Sequence, residues 1–210
     1  MAIESDSRVA VFARAPVAGR VKTRLVPALG AAGAAALQRA LTLRAVEAAV
    51  ASAVGPVELW CAPDAHDPFF LECAARFGVR LVPQGEGDLG ERMRRAFDAM
   101  LAACWRAVLI GSDIPAMTAD YLRAADAALA RGSDAVFGPA EDGGYVLIGL
   151  SRAAPELFRG IDWGARTVMQ ETRARIARLG LAHVELPVLW DVDRPEDLSR
   201  PGVPSIRNMR

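Results

Sequence analysis

The 210-residue sequence predicts a three-layer α/β/α sandwich: a mostly parallel mixed sheet with helices on both faces, in one domain over residues 1–210. Three observations carry this. Short apolar runs alternate several times with longer segments of helical period, and a strand followed by a crossover helix returns parallel to its predecessor. Hydrophobic residues make up 52% and charged residues 24%, enough apolar content for one large core and too much for a disordered chain. No repeat, low-complexity run or linker divides the sequence, and only Pro201 to Arg210 is expected to be loose.

The elements follow in order. Arg8 to Arg14 (RVAVFAR) is a short, uninterrupted apolar run and reads as a buried strand, and the Ala/Leu-periodic stretch Gly30 to Val54 reads as a helix. Val57 to Cys61 is a strand, His66 to Phe77 a helix and Val79 to Val82 a strand. Asp88 then caps a helix running to Trp105. Ala107 to Gly111 is the next buried strand, and Thr118 caps a helix to Arg131. Asp134 to Gly138 and Tyr145 to Leu150 are strands on either side of the Gly143-Gly144 turn, which hints at one antiparallel strand. Helices are expected at Ala154 to Phe158 and Arg166 to Leu179, and short strands at His183 to Leu186 and Val188 to Val192. A last short helix begins within Arg194 to Leu198.

Composition removes several function classes. Lys+Arg and Asp+Glu both number 25, so there is no basic excess to hold a polyanion, and no nucleic acid partner is expected. The opening MAIESDSRVA lacks a signal-peptide pattern, and Gln38, Arg39, Arg44 and Glu47 interrupt the longest apolar stretch. No membrane partner is therefore expected. Cys61, Cys73 and Cys104 are odd in number and lack metal-type spacing, which fits small core residues in a cytoplasmic protein. His66 and His183 stand alone, without the nucleophile a Ser-His-Asp or Cys-His hydrolase needs. A homodimer is compatible with the sequence.

In such folds ligands sit beyond the carboxyl ends of the strands, so the residues just after each strand are the candidates. After the first strand, Arg14 to Leu25 carries four cations (Arg14, Arg20, Lys22, Arg24) with Gly19 and Thr23. Lys22 is the only lysine among 25 basic residues, a compact point charge kept in a loop otherwise served by arginine. This is equipment for a polyphosphate, although neither a Walker A nor a Rossmann glycine pattern is present. The alternative is a solvated surface loop. Asp113 follows the strand Ala107 to Gly111 and is the first candidate metal ligand, with Asp191 or Asp193 as the second. Magnesium needs only one or two protein carboxylates and takes phosphate and water for the rest; manganese is also admitted. Asp193 has an alternative role as a helix cap. The Gly-rich stretch Gln84 to Met93 permits close approach of a base or ribose, or is a simple connector. Asp142, Gly143, Gly144 and Tyr145 could line an acceptor pocket or form a tight hairpin. Trp163 could cover that pocket or belong to the core.

Five motifs in fixed order, VFARAPVAGRVKTRL, GDLGERM, GSDIP, GPAEDGGYVLIGL and DVDRPEDL, resemble the bacterial family labelled radical-SAM/selenodomain-associated transferase 1, over nearly the whole chain. The resemblance implies the glycosyltransferase-A (GT-A) fold. More distantly the chain looks like 2-phospholactate and molybdenum-cofactor guanylyltransferases. That resemblance implies a nucleotide and magnesium, with Arg14, Gly19, Lys22 and Arg24 on the phosphate loop. It also puts Gly85, Asp88 and Gly90 near the nucleoside and Asp113 with Asp191 or Asp193 on the metal. The expected reaction is nucleotidyl transfer. GMP, the favoured group, passes from a nucleoside triphosphate to a small phosphorylated acceptor while Lys22, Arg24 and Asp113 serve catalysis. The alternatives are glycosyl transfer from a nucleotide sugar, with Asp142 or Glu141 as base, and a non-catalytic nucleotide-binding module. All three expect Lys22 close to Asp113, with the cationic cradle and the acidic seat separated by the width of a pyrophosphate.

Overall fold

A computed structural model describes residues 5–205. Strands β1 (Ser5–Arg14), β2 (Val57–Ala62), β3 (Arg80–Pro83), β4 (Cys104–Gly111), β5 (Ala135–Pro139), β6 (Tyr145–Leu150) and β7 (His183–Glu185) form one sheet in the order β3-β2-β1-β4-β6-β5-β7. Every pairing is parallel except those of β6, which runs antiparallel to both β4 and β5. The tight turn at Gly143-Gly144 reverses the chain there, as expected, because too few residues separate β5 from β6 for a crossover.

Side-chain alternation divides the core between the two faces of the sheet. Val9, Val11 and Ala13 of β1 face helices α1 (Val26–Ser52), α2 (Pro68–Phe77) and α4 (Ala119–Ala130), which contribute Val46, Phe70 and Leu122. Ala10 and Phe12 face helices α3 (Leu89–Leu101) and α5 (Val168–Leu179), which contribute Phe97 and Ile176. A third cluster, Leu25, Leu37, Leu41 and Val192, clamps the late acidic segment against the first half of α1. Asp88 caps α3 in a full capping box with Glu91, and the Thr118 side chain accepts from Tyr121 N–H. No described helix is long and apolar enough to cross a membrane.

Several boundaries differ from the sequence prediction, each for an identifiable reason. The helix expected to reach Trp105 stops at Leu101, because Cys104 is drawn into register with Ser5 of β1 and Trp105 becomes an exposed strand residue. The first long helix is broken at Gly30, whose φ of 70° and ψ of 165° no helical residue adopts, and it ends where Ala53 turns left-handed. Pro155–Leu157 and Pro195–Ser199 make only 3-10 turns. The strand expected at Val188 to Val192 is a single bridge, Leu189 with Ala140. Leu189 N–H bonds to Pro139 O at the end of β5, but Val192 N–H donates to Asp113 O at 3.0 Å, so beyond the bridge the segment leaves β5 and crosses past the end of β4. Of the tail expected to be loose, 206–210 lie outside the described residues. Gly202 O accepts from Arg44, and Val203 packs on the third cluster.

Candidate active site

The order of the sheet reverses at β1: the chain proceeds outward to β2 and β3, then returns to place β4 on the other side. The loops that follow β1 and β4 therefore diverge and leave a crevice between them. Two cavities open there. One is a cleft of about 820 Å³ walled by Arg14 and Arg20 to Arg24, by Gly87 and Asp88, and by Ser112 and Asp113. The other holds about 250 Å³ between α3, β6 and the Asp142–Tyr145 loop. Asp113 and Trp163 belong to both walls, so the two spaces meet at that carboxylate.

Lys22 organises the junction. Its Nζ donates to Asp113 Oδ2 at 2.8 Å and to Val192 O at 2.5 Å, and the side chain is only 5% exposed. One ammonium thus ties together the first loop, the loop after β4 and the late acidic segment. Lys22 adopts φ 47° and ψ 41°, a left-handed conformation that costs a non-glycine residue roughly 1–2 kcal/mol. Such strain persists only where surrounding contacts over-determine it. The pyrophosphate-wide gap expected between cradle and acidic seat is absent, because Lys22 and Asp113 touch. Arg24 is similarly occupied, paired with Asp193.

The unpaired cations of the cleft are other residues. Arg14, Arg20 and Arg92 line it, and none of their side chains forms a hydrogen bond or ion pair with a described residue; Arg92 Nε is buried without a partner. Arg92 went unrecognised in the sequence, although a cation early in a helix that follows a Gly-rich loop opposes the helix dipole and so signals another role. Gln84 was missed too. It is buried, and its Nε2 donates to Ala13 O and Trp60 O, fixing the floor where β1 and β2 end.

The late acids separate. Asp191 lines the smaller cavity and Asp193 the larger, with fully buried Val192 between them. Asp193 does not cap the following turn: Asp197 Oδ2 accepts from the backbone N–H groups of both Asp193 and Arg194. Burial, reinforced by the charges of Asp113 and Asp142, pushes the Asp191 carboxyl up to about 6. A hard divalent cation would relieve that crowding. Among the described residues no cluster of three or more His, Cys, Asp or Glu forms a ready cage, but Asp113 with Asp191 suits a cation that draws its remaining oxygens from phosphate and water.

The acceptor-loop residues have distinct tasks. Asp142 Oδ1 accepts from Gly144 N–H at 2.9 Å, and Asp142 and Gly144 line the smaller cavity. Gly143, at φ 96°, packs so closely on the Arg166 backbone that a β-carbon would overlap it, and its carbonyl accepts from Met169 N–H. Glu141 turns away to a two-point ion pair with Arg200, which lies 3.9 Å over the Trp190 ring. Tyr145 sets its ring edge-on to Trp163, its hydroxyl lies against Met93 Sδ, and burial pushes its phenol far up.

Of the residues expected near the nucleoside, Asp88 lines the cleft and Gly85 and Gly90 do not. Gly85 faces the Arg95 guanidinium, which gathers the carbonyls of Gln84 and Glu86. Gly90 is glycine because Phe158 O and the Trp163 ring occupy the place of a β-carbon. Gly19, at φ 77°, shapes the first loop from outside the wall, whereas Thr23 is on it.

Comparison with known proteins follows this geometry. A bacterial family described as "Uncharacterized protein conserved in bacteria (DUF2064)" matches residues 42–165. The chain is 34% identical to a candidate nucleotide-diphospho-sugar transferase from Desulfovibrio desulfuricans G20, with a TM-score of 0.82 over 90% of this chain and 83% of that one. Two likenesses concern the fold alone. One is to 4-diphosphocytidyl-2C-methyl-D-erythritol synthase from Anaerococcus prevotii (11% identity, TM-score 0.59, 92% and 95% coverage). The other is to glucosyl-3-phosphoglycerate synthase from Mycobacterium tuberculosis in complex with Mn²⁺, UDP and glucosyl-3-phosphoglycerate (16%, 0.54, 95% and 81%). Among curated proteins no relative matches. The architecture is therefore that of the nucleotide-diphospho-sugar transferases, the GT-A-like fold.

Proposed function

The chain belongs to the DUF2064 family, and from that premise we propose that it is a transferase that takes a group from a nucleotide-activated donor and passes it to a small acceptor beside Asp113. The observation that carries this is the meeting, at one carboxylate, of a large cationic cleft and a small acid-lined cavity. The unpaired guanidinium groups of Arg14, Arg20 and Arg92 suit the donor's phosphates, since hydrogen bonds between charged partners are worth about 1.5–3 kcal/mol each. Gly87 and Asp88 lie where the nucleoside would rest. Asp113 and Asp191 would hold Mg²⁺ or Mn²⁺, which when bound neutralises charge developing on the departing phosphates. Lys22 holds the Asp113 side chain in place, and Arg24 keeps Asp193 on the donor side.

The finer reading has two forms. Nucleotidyl transfer from a triphosphate, with GMP the favoured group, is supported by the number of cations around the cleft. Glycosyl transfer from a nucleotide sugar is supported by Asp142, which lines the small cavity and could take a proton from an acceptor hydroxyl; Glu141, held by Arg200, is no longer a candidate base. The five-motif resemblance to the radical-SAM/selenodomain-associated transferase 1 family and a cytoplasmic setting belong to the same proposal.

Titration calorimetry with the four nucleoside triphosphates and a panel of nucleotide sugars, with magnesium or manganese, tests it. We expect micromolar binding of at least one donor class, weakened about tenfold in Arg92→Ala. Release of pyrophosphate or of a nucleoside diphosphate then distinguishes the two forms. Absence of binding by every nucleotide would sink the proposal.

A further inference from the structure

We propose that the smaller cavity takes an acceptor that carries no anionic group: a hydroxyl or amine compound with an apolar ring or chain. This rests on the donor-and-acceptor reading above and departs from the small phosphorylated acceptor of the nucleotidyl transfer expected from the sequence. The cavity of about 250 Å³ corresponds to a molecule of roughly eight non-hydrogen atoms, taking water's share of about 30 Å³ as a guide. Its walls combine the apolar surfaces of Phe12, Met93 and Trp163 with three carboxylates, Asp113, Asp142 and Asp191, and among the described residues include no lysine, arginine or histidine.

Three nearby cations are already engaged. Lys22 is bound to Asp113 and Val192 O, Arg200 to Glu141, and Arg175 to the carbonyls of Glu156, Arg159 and Gly160. An acceptor phosphate would therefore enter a space with no guanidinium or ammonium in its walls, next to Asp142, whose one committed oxygen serves a backbone N–H. Phosphate sites are built from the opposite materials, guanidinium forks and converging N–H groups. Asp113 and Asp191 would hold the divalent cation that serves the donor's phosphates, and Asp142 is not among its proposed ligands. An amine gains from both the carboxylates and the ring faces, and a hydroxyl compound incurs no repulsion.

Three probes with one apolar body test the inference: benzyl alcohol, benzylamine and benzyl phosphate. Each is titrated into the protein labelled with ¹³C at the methionine methyl groups, with and without magnesium. The Met93 signal, assigned through Met93→Leu, reports entry into this cavity. We expect the alcohol and the amine to shift it and the phosphate ester to bind at least tenfold more weakly in both conditions. Asp142→Asn, which keeps the oxygen that accepts from Gly144 N–H, is expected to narrow that gap at least threefold. Benzyl phosphate binding as tightly as the alcohol, a Met93 signal indifferent to all three probes, or a gap unmoved by Asp142→Asn would each overturn the inference. GTP and UDP-glucose are titrated into the same samples. If neither binds while the preference for the non-anionic probes persists, the donor reading fails and the selectivity of the cavity stands.

Discussion

Replacing Lys22 by alanine removes one ammonium from a three-way junction, and the structure sets the size of the effect. Two hydrogen bonds are lost, to Asp113 Oδ2 at 2.8 Å and to Val192 O at 2.5 Å. Asp113 is 35% exposed, so water recovers part of its loss, whereas Val192 is fully buried and its carbonyl is left with an unmet demand. A hydrogen bond to a charged group contributes about 1.5–3 kcal/mol and an orphaned buried acceptor costs about 1–3 kcal/mol, which together, discounted for the hydration of Asp113, give a loss of about 3 kcal/mol. For a domain of this length that lowers Tm by about 6–12 °C. Lys22→Gly loses the same bonds but escapes the left-handed strain. The roughly 1–2 kcal/mol it recovers exceeds the roughly 0.5–1 kcal/mol of added chain entropy, so glycine is the less damaged variant by about 0.5–1 kcal/mol. Urea unfolding and calorimetry on the three proteins measure both quantities. An alanine variant within about 0.5 kcal/mol of the parent, or one more stable than the glycine variant, refutes this account of the junction.

Three further outcomes are expected. Arg14→Ala, Arg20→Ala and Arg92→Ala should each weaken donor binding by about tenfold in calorimetry, one charge-assisted contact apiece, with Tm nearly unchanged because none of the three has a protein partner to lose. Gly90→Ala should destabilise the fold by about 1–3 kcal/mol in urea unfolding, since a methyl there collides with Phe158 O and the Trp163 ring. Burial pushes the Cys61 thiol up to about 12 and those of Cys73 and Cys104 up to about 11, so Ellman's reagent at pH 8 should find no reactive thiol until the protein unfolds. The native state then holds protons that the unfolded chain releases above about pH 9, and stability measured by urea unfolding should fall as pH rises from there.

Which features were legible in the sequence follows from the range of the forces involved. The run RVAVFAR, the Asp88 cap and the Gly143-Gly144 reversal are decided within a few residues, and all three stand as read. The helix overran to Trp105 because its apolar period continues past Leu101, and only pairing with Ser5, 99 positions away in the chain, stops it. Asp113 and Lys22 stand out as candidates in the sequence because both follow strands at the ligand edge of the sheet. Their direct contact, and the commitment of Arg24 to Asp193, depend on loop paths that no local pattern encodes. Gly90 was misread because a glycine required by packing and one required by a ligand look alike in a string of letters. The acidic character of the smaller cavity was hidden for a related reason. Asp113, Asp142 and Asp191 come from three distant segments, whereas the cations of the first loop stand together and dominate any linear reading.

The Lys22–Val192 bond spans 170 positions. During synthesis the first loop leaves the ribosome before either partner of its ammonium has been made; Asp113 follows 91 positions later and Val192 170 positions later. The sheet can close beforehand, since β1 needs only β2 and β4 beside it. The candidate site is therefore completed only after the strands that frame it, and a protein cut off before Val192 would keep much of its scaffold while lacking the strap that finishes this edge of the sheet.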